Sequence, residues 1–289
     1  MAVVVVDFLI LTAKVIGYVL HALIRWIKKP REKTVRNEIC LITGTASSVG
    51  VGRLFALEFA RRGATLVLWD VDTKGNENTA REVRKLGAKA YTYTCDVSQR
   101  ELVYATASCV RREVGDVTIL INNAGIIAGM PILQCPDEQV ERTMKTNCHA
   151  HFWTVKAFLP QMIKRGHGHI VTIAGSLGLF ATGCLEQICN SFGLKKALNA
   201  YAGREHINSF SSADIFSSRR ELKALLPPIK PDHFVKAAMQ GILRNQHMIC
   251  IPKVMYFAAI SKNLLPWDVQ VLIQKFLGLD RCIPQKAAQ

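Results

Sequence analysis

The sequence predicts an α/β domain with a doubly wound parallel sheet. Two observations predict it. From Ile39 onward, short apolar runs alternate with stretches of helical period. The first of these runs leads directly into a glycine-rich turn, Gly44-Thr45-Ala46-Ser47-Ser48-Val49-Gly50-Val51-Gly52. Strands that alternate with helices need crossover connections, and crossovers make parallel strands with helices on both faces. A length of 289 residues suits one such domain.

The chain opens with a mostly apolar stretch, Ala2 to Ile27, interrupted by Asp7, Lys14 and Arg25. A spanning helix needs ~20 apolar residues, and this one reaches that length only if Lys14 snorkels. Arg25, Lys28, Lys29, Arg31, Lys33 and Arg36 follow. A basic cluster directly after an apolar stretch places the following domain on the cytoplasmic side. No small-residue cleavage site is evident. We therefore expect a membrane-anchor helix with its basic flank over 1–36, spanning or monotopic, and one domain over 37–289. The competing reading is an amphipathic helix packed on that domain.

Apolar runs predict strands at 38–43, 65–70, 89–94, 117–121 and 169–174, with a late one at 247–251. Helical periodicity predicts helices at about 52–62, 75–86, 98–114, 137–165 and 185–202. Pro160 is expected to kink or end the fourth. Two further apolar stretches, 254–260 and 269–277, read as helices that pack on the sheet or touch a bilayer. No internal repeat appears.

Strand, glycine turn and helix together open a dinucleotide-binding (Rossmann-like) unit. Glycine lets the backbone approach a pyrophosphate, and the helix N-terminus offers N–H groups and the positive end of its dipole. Asp70 ends the next apolar run. A carboxylate there accepts hydrogen bonds from ribose hydroxyls and repels a 2′-phosphate, which favours NAD over NADP. A structural turn beside a surface acid would look the same.

Bulk properties narrow the partners. Lys and Arg number 37 against 22 Asp and Glu, a formal charge of +15. No basic-aromatic interleaving or nucleic-acid module is present, so an anionic membrane surface is the better partner. A mean hydropathy of +0.16 agrees with membrane contact. The nine cysteines lack metal-ligand spacing and are odd in number, which suggests free thiols in a reducing compartment. His149-Ala150-His151 and His167-Gly168-His169 hold i, i+2 pairs, which do not share a helix face, and no metal site is expected.

Thr43-Gly44, Gly50-Val51-Gly52, Cys95-Asp96-Val97 and Asn122-Asn123-Ala124-Gly125 resemble the motifs of the short-chain dehydrogenase/reductases. Leu54 to Arg62, Thr146 to Trp153 and Leu226 to Pro231 resemble one branch, the membrane-bound retinol and 17β-hydroxysteroid dehydrogenases. The resemblance runs from the N-terminus to about Asn190 and resumes near Leu225. It implies a nicotinamide cofactor (NAD, with NADP possible) held by Gly44, Gly50, Gly52, Asp70, Asp96 and Asn122. It also implies a lipophilic alcohol such as retinol as substrate. The expected location is the endoplasmic reticulum or a lipid-droplet surface. Dimers, with a second copy or with an active relative, would form through the helices at 98–114 and 137–165.

The same resemblance locates a defect. The family passes a proton through a tyrosine whose pKa is lowered by a lysine one helical turn on. A serine steadies the substrate oxygen, and an asparagine holds a relay water. Free tyrosine, with a pKa near ~10, is a poor base without such help. The asparagine is matched by Asn147. The tyrosine position is Ile188, and the lysine expected between Ser191 and Phe192 is missing. The serine position is Gly175, and Ser176 substitutes only if the strand bends, since neighbours on a strand point to opposite faces. Gly44 and Gly50 are six apart, wider than in the family, which enlarges the phosphate turn. The segment 194–224 is polar, serine-rich and short of apolar runs, so we expect a disrupted region without a sixth strand. Such a chain is expected to be catalytically impaired, whether it still binds nucleotide or serves as a membrane-tethered binding or scaffold protein.

Overall fold

A computed structural model describes residues 30–126, 135–175, 206–212, 229–253 and 255–256, with residues 6, 10–18, 20, 265, 266 and 269 as short isolated pieces. The chain divides into two units, Met1–Lys33 and Thr34–Gln289. In the first, residues 10–18 are helical and exposed. No helix among the described residues is long and apolar enough to cross a membrane. Half of the expected anchor and basic flank, residues 1–5, 7–9, 19 and 21–29, lies outside the described residues.

The second unit is built on a seven-stranded sheet in the order β3-β2-β1-β4-β5-β6-β7. Every neighbouring pair is parallel. The strands are β1 (Ile39–Thr43), β2 (Thr65–Asp70), β3 (Ala90–Thr94), β4 (Ile119–Asn122), β5 (His169–Gly175), β6 (His206–Ser212) and β7 (Met248–Cys250). The helices are α1 (Val51–Arg61), α2 (Thr73–Lys85), α3 (Arg100–Glu113), α4 (Asp137–Met144), α5 (Ala150–Arg165) and α6 (Pro231–Leu243). The doubly wound parallel architecture is therefore present, with boundaries within a few residues of those expected. The stretches 185–202, 254–260 and 269–277 fall largely outside the described residues.

Strand alternation divides the core between the two faces of the sheet. Ile42, Leu66 and Leu68 point to one face, where Phe55 and Phe59 of α1 meet Met239 and Ile242 of α6. Leu41, Val67, Trp69 and Leu120 point to the other, beneath Val103 and Val110 of α3 and Phe158 and Met162 of α5. The Trp69 and Phe158 rings are 5.7 Å apart at their centroids. Helix ends follow local chemistry. The Asp72 carboxylate accepts from Lys74 N (3.0 Å) and Gly75 N (3.1 Å), capping α2. Gly166, at φ 60°, ends α5 in the left-handed conformation that glycine reaches without a Cβ clash.

Two expectations are corrected. Helix α5 does not end at Pro160 but runs on to Arg165, and the helical stretch from 137 is continuous through a π-helical turn, Lys145–His149. The sixth strand is not missing: β6 pairs with β5 from His169↔His206 to Gly175↔Ser212 and with β7 at Phe210↔Ile249. A strand held on both sides satisfies its backbone N–H and C=O groups through the ladder, and that requirement outweighs the lack of an apolar run. The rest of the region expected to be disrupted, 194–205 and 213–224, lies outside the described residues.

Candidate functional site

Because all strands are parallel, their C-terminal ends share one edge of the sheet. The order reverses between β1 and β4, and open α/β sheets bind ligands in the crevice at such a point. Gly44 leaves β1 and Asn123 leaves β4 on either side of it.

The floor of the crevice leaves no room for side chains. Gly44 sits at φ +74°, and a Cβ there would lie 2.8 Å from Ala124 Cα. A Cβ on Gly52 would overlap the Gly44 carbonyl oxygen and come within 2.6 Å of Asn123 Nδ2. The Asn123 amide donates to Thr43 O (2.9 Å) and Gly44 O (3.0 Å). Thr43 Oγ1 accepts from Asn123 N and Ala124 N, both at 3.0 Å. These bonds lace the two strand exits together. Gly50 caps α1 in extended conformation, and its N–H donates to Ser47 O at 3.0 Å. That turn folds the long loop back on itself and leaves Val49 79% exposed.

Asp70 closes the rim. Its carboxylate accepts from Ala46 N (2.8 Å) and from Asp72 N (3.0 Å), so it is held against the loop. Thr45 Oγ1 donates to Asn76 Oδ1 (2.6 Å), and Thr79 Oγ1 donates to Thr45 O (2.7 Å). The first half of the loop is thus pinned to α2. Cys95 N donates to Asp70 O (2.9 Å), which brings Asp96 alongside. Burial alone would raise the Asp96 pKa, but bonds from Ser98 and Gln99 outweigh it and lower the value below the ordinary range. Burial pushes the neighbouring Cys95 thiol up to about 11, which makes it a poor nucleophile.

The other expected residues take different places. Asn122 is 1% exposed and points toward α5, where its Oδ1 accepts from Thr154 Oγ1 at 2.8 Å. Its Nδ2 has no partner among the described residues. Asn147 occupies the π-helical turn, and its amide clamps the Ile126 backbone by accepting from N (2.9 Å) and donating to O (2.8 Å). Gly175 ends β5. Ser176 and Ile188 lie outside the described residues. Nearby His151 is buried, which lowers its pKa to about 4 and keeps the ring neutral at physiological pH. No group of metal-ligating side chains occurs among the described residues.

The structure therefore gathers Gly44, Gly50, Gly52 and Asp70 around one loop, with Asp96 adjacent, and places Asn122 and Asn147 on the α5 side. Reading the sequence placed Thr43 and the Asn122-Asn123 pair in family motifs and named Asn122 as cofactor-binding; in the structure it is Asn123 that bonds to the loop, and Asn76, which pins Thr45, was not singled out. The repeated asparagine was visible, but which of the two faced the loop depended on strand alternation.

Comparison with known proteins agrees with this fold. Retinol dehydrogenase 10 of Homo sapiens is 45% identical over 328 aligned positions, covering 99% of this chain and 95% of that protein. Retinol dehydrogenase 10-B of Danio rerio is 45% identical, covering 98% and 94%. At least 39 of the 328 human positions fall opposite gaps in this 289-residue chain. A short-chain type dehydrogenase/reductase from Mycobacterium marinum shares the fold, with a TM-score of 0.68, 23% identity, and coverage of 75% of this chain and 94% of that one. A metagenomic short-chain oxidoreductase solved with NADP gives a TM-score of 0.64 at 21% identity, covering 76% and 98%. The family model for short chain dehydrogenase matches residues 38–186. With that match across half its length and near-complete alignment to the retinol dehydrogenases, the chain belongs to the short-chain dehydrogenase/reductase family.

Proposed function

We propose that this retinol-dehydrogenase-like protein binds a nicotinamide dinucleotide at the Gly44–Gly52 loop, prefers NAD to NADP, and carries out hydride transfer poorly or not at all. The observation that supports binding is the cradle itself. Gly44 and Gly52 pack so closely on the β4 exit and on each other that no Cβ fits, which lets the loop turn tightly into the start of α1, where backbone N–H groups suit a pyrophosphate, and the Asp70 carboxylate is held against that loop. When bound, the cofactor supplies the hydride acceptor. The chain's own residues bind it, orient it and repel a 2′-phosphate.

The reading of weak catalysis rests on positions matched by resemblance. Ile188 has no proton to move, and Gly175, at the end of β5, has no hydroxyl to polarise a substrate oxygen. The family match ends at Glu186, just before these tyrosine and lysine positions. Loss of general acid–base catalysis is worth ~10²–10⁴-fold in rate. By the names of its relatives, the substrate class is retinol or a similar lipophilic alcohol. The basic flank after the apolar N-terminus supports a membrane location with the domain on the cytoplasmic side.

The test uses the full chain in membranes, with NADH titration beside retinol turnover. The expected result is NADH binding with turnover no higher than that of Asn147→Ala. Installing Ile188→Tyr, Gly175→Ser and a lysine after Ser191 should raise turnover. Wild-type turnover far above the Asn147→Ala control would refute the impairment. An intact fold that binds neither NADH nor NADPH at millimolar concentration would favour a membrane-tethered binding protein or a dimer partner of an active relative.

A further inference from the structure

The parallel topology gives the sheet two chemically different edges. Connections entering the strands run through 34–38, 61–64, 84–89, 111–118, 164–168 and 243–247. They carry eleven Lys and Arg against three acids. Described connections leaving the strands, 44–50, 70–74, 95–101, 123–126, 135–138, 229–232 and 251–253, carry four bases against seven acids. Net charge is thus +8 at the entry edge and −3 at the exit edge that bears the glycine loop.

Helix dipoles account for part of this asymmetry. Five helices, α1, α2, α3, α5 and α6, end at the entry edge. Each C-terminus carries about half a negative charge, roughly 2.5 in all, and favours nearby cations. Most of the +8 remains after that allowance. Arg36 and Lys89 belong to no helix end, and Arg36, Lys85, Lys89 and Lys164 are all exposed. The ion pairs Arg165–Asp116 and Arg112–Glu113 are already included in the net value, whereas Arg61 and Arg62 pair with Glu58 and Arg84 pairs with Glu77, two acids outside the counted connections, which brings the edge from +8 to +6.

The polypeptide enters the second unit at this same edge. Val35 is buried, and Asn37 N donates to Gly63 O at 3.1 Å, fixing the entry beside the start of β2. Directly before it in sequence come Arg25, Lys28, Lys29, Arg31 and Lys33. That run immediately precedes the second unit in sequence, and the basic edge of the second unit itself matches an anionic lipid surface.

We propose that the strand-entry edge docks on anionic lipid headgroups, so that the exit edge with its glycine loop is turned to the aqueous side. Five-fold of affinity per basic residue is the scale for cations close to such a surface. The proposal extends the membrane reading and stands whether or not the chain turns over retinol.

The test is lysine acetylation of the full chain, read by mass spectrometry on vesicles of phosphatidylcholine with or without about one-third phosphatidylserine. On anionic vesicles, Lys85, Lys89 and Lys164 should label at least fivefold more slowly than on neutral ones, with the exit-edge Lys74 and Lys230 unchanged. High salt should abolish the protection. The variant Lys85→Glu, Lys89→Glu, Lys164→Glu should bind anionic vesicles at least tenfold more weakly in excess over neutral ones, whereas Lys74→Glu, Lys230→Glu should not. Equal labelling of both edges, or protection of Lys74 and Lys230 instead, overturns the orientation. Protection of the entry edge by duplex RNA as strong as that by anionic vesicles overturns the lipid assignment.

Discussion

His151 is expected to make the protein acid-sensitive well above the range where carboxylates titrate. It is 7% exposed on α5, and burial lowers its pKa from about 6.5 to about 4. The sign follows from which state holds the proton. Between those two values the unfolded chain is protonated and the folded one is not. Stability is therefore complete above pH 6.5, declines as pH falls toward 4, and remains reduced below. The full loss amounts to ~3 kcal/mol, and lowering pH from 7.5 to 5.5 already removes about 1 kcal/mol. Asp96 and Glu58, whose pKa values are lowered, contribute to acid loss only as pH falls through the ordinary carboxylate range and below it, so this window lies above them. The measurement is urea denaturation of the full chain in mild detergent, followed by tryptophan fluorescence, at both pH values. His151→Leu keeps the volume roughly constant and should lose the pH dependence between 5.5 and 7.5. If wild type and variant change by the same amount within about 0.3 kcal/mol, the ring is not held neutral and the argument fails. With a pKa near 4 and a buried ring, His151 is a weak base at physiological pH and a poor substitute for the tyrosine that the family resemblance expects at 188.

The remaining predictions concern the loop and the N-terminus. Gly52→Ala should weaken NADH binding at least tenfold and cost about 1–3 kcal/mol of stability, because its Cβ meets the Gly44 carbonyl; unchanged affinity by fluorescence titration would contradict the cradle. Asp70→Asn should raise the NADP/NAD affinity ratio about tenfold, or ~1.4 kcal/mol, since the carboxylate charge is lost and one acceptor for Ala46 N or Asp72 N goes with it. A fixed ratio in paired titrations would remove Asp70 from cofactor choice. Residues 1–36 fused to a soluble reporter should carry it into the membrane pellet and resist high salt; release by salt would show that charge rather than apolar burial holds it.

Much of the architecture was legible because it depends on local pattern. Apolar runs at 65–70 and 169–174 bury both faces, and a parallel strand needs that. The glycine cluster marks where the backbone must come close, and Asp70 marks the end of the following strand. The tertiary structure decided what depends on neighbours. β6 exists through pairing with β5 and β7, which no property of 206–212 taken alone reveals. Which asparagine of Asn122-Asn123 faces the loop was set by alternation across β4, so Asn123 clamps Gly44 while Asn122 meets Thr154. The Asn147 clamp on Ile126 required a π-helical turn that helical periodicity does not signal. The contrast between the basic and acidic edges is likewise written in scattered residues, and only a parallel sheet collects them onto opposite ends.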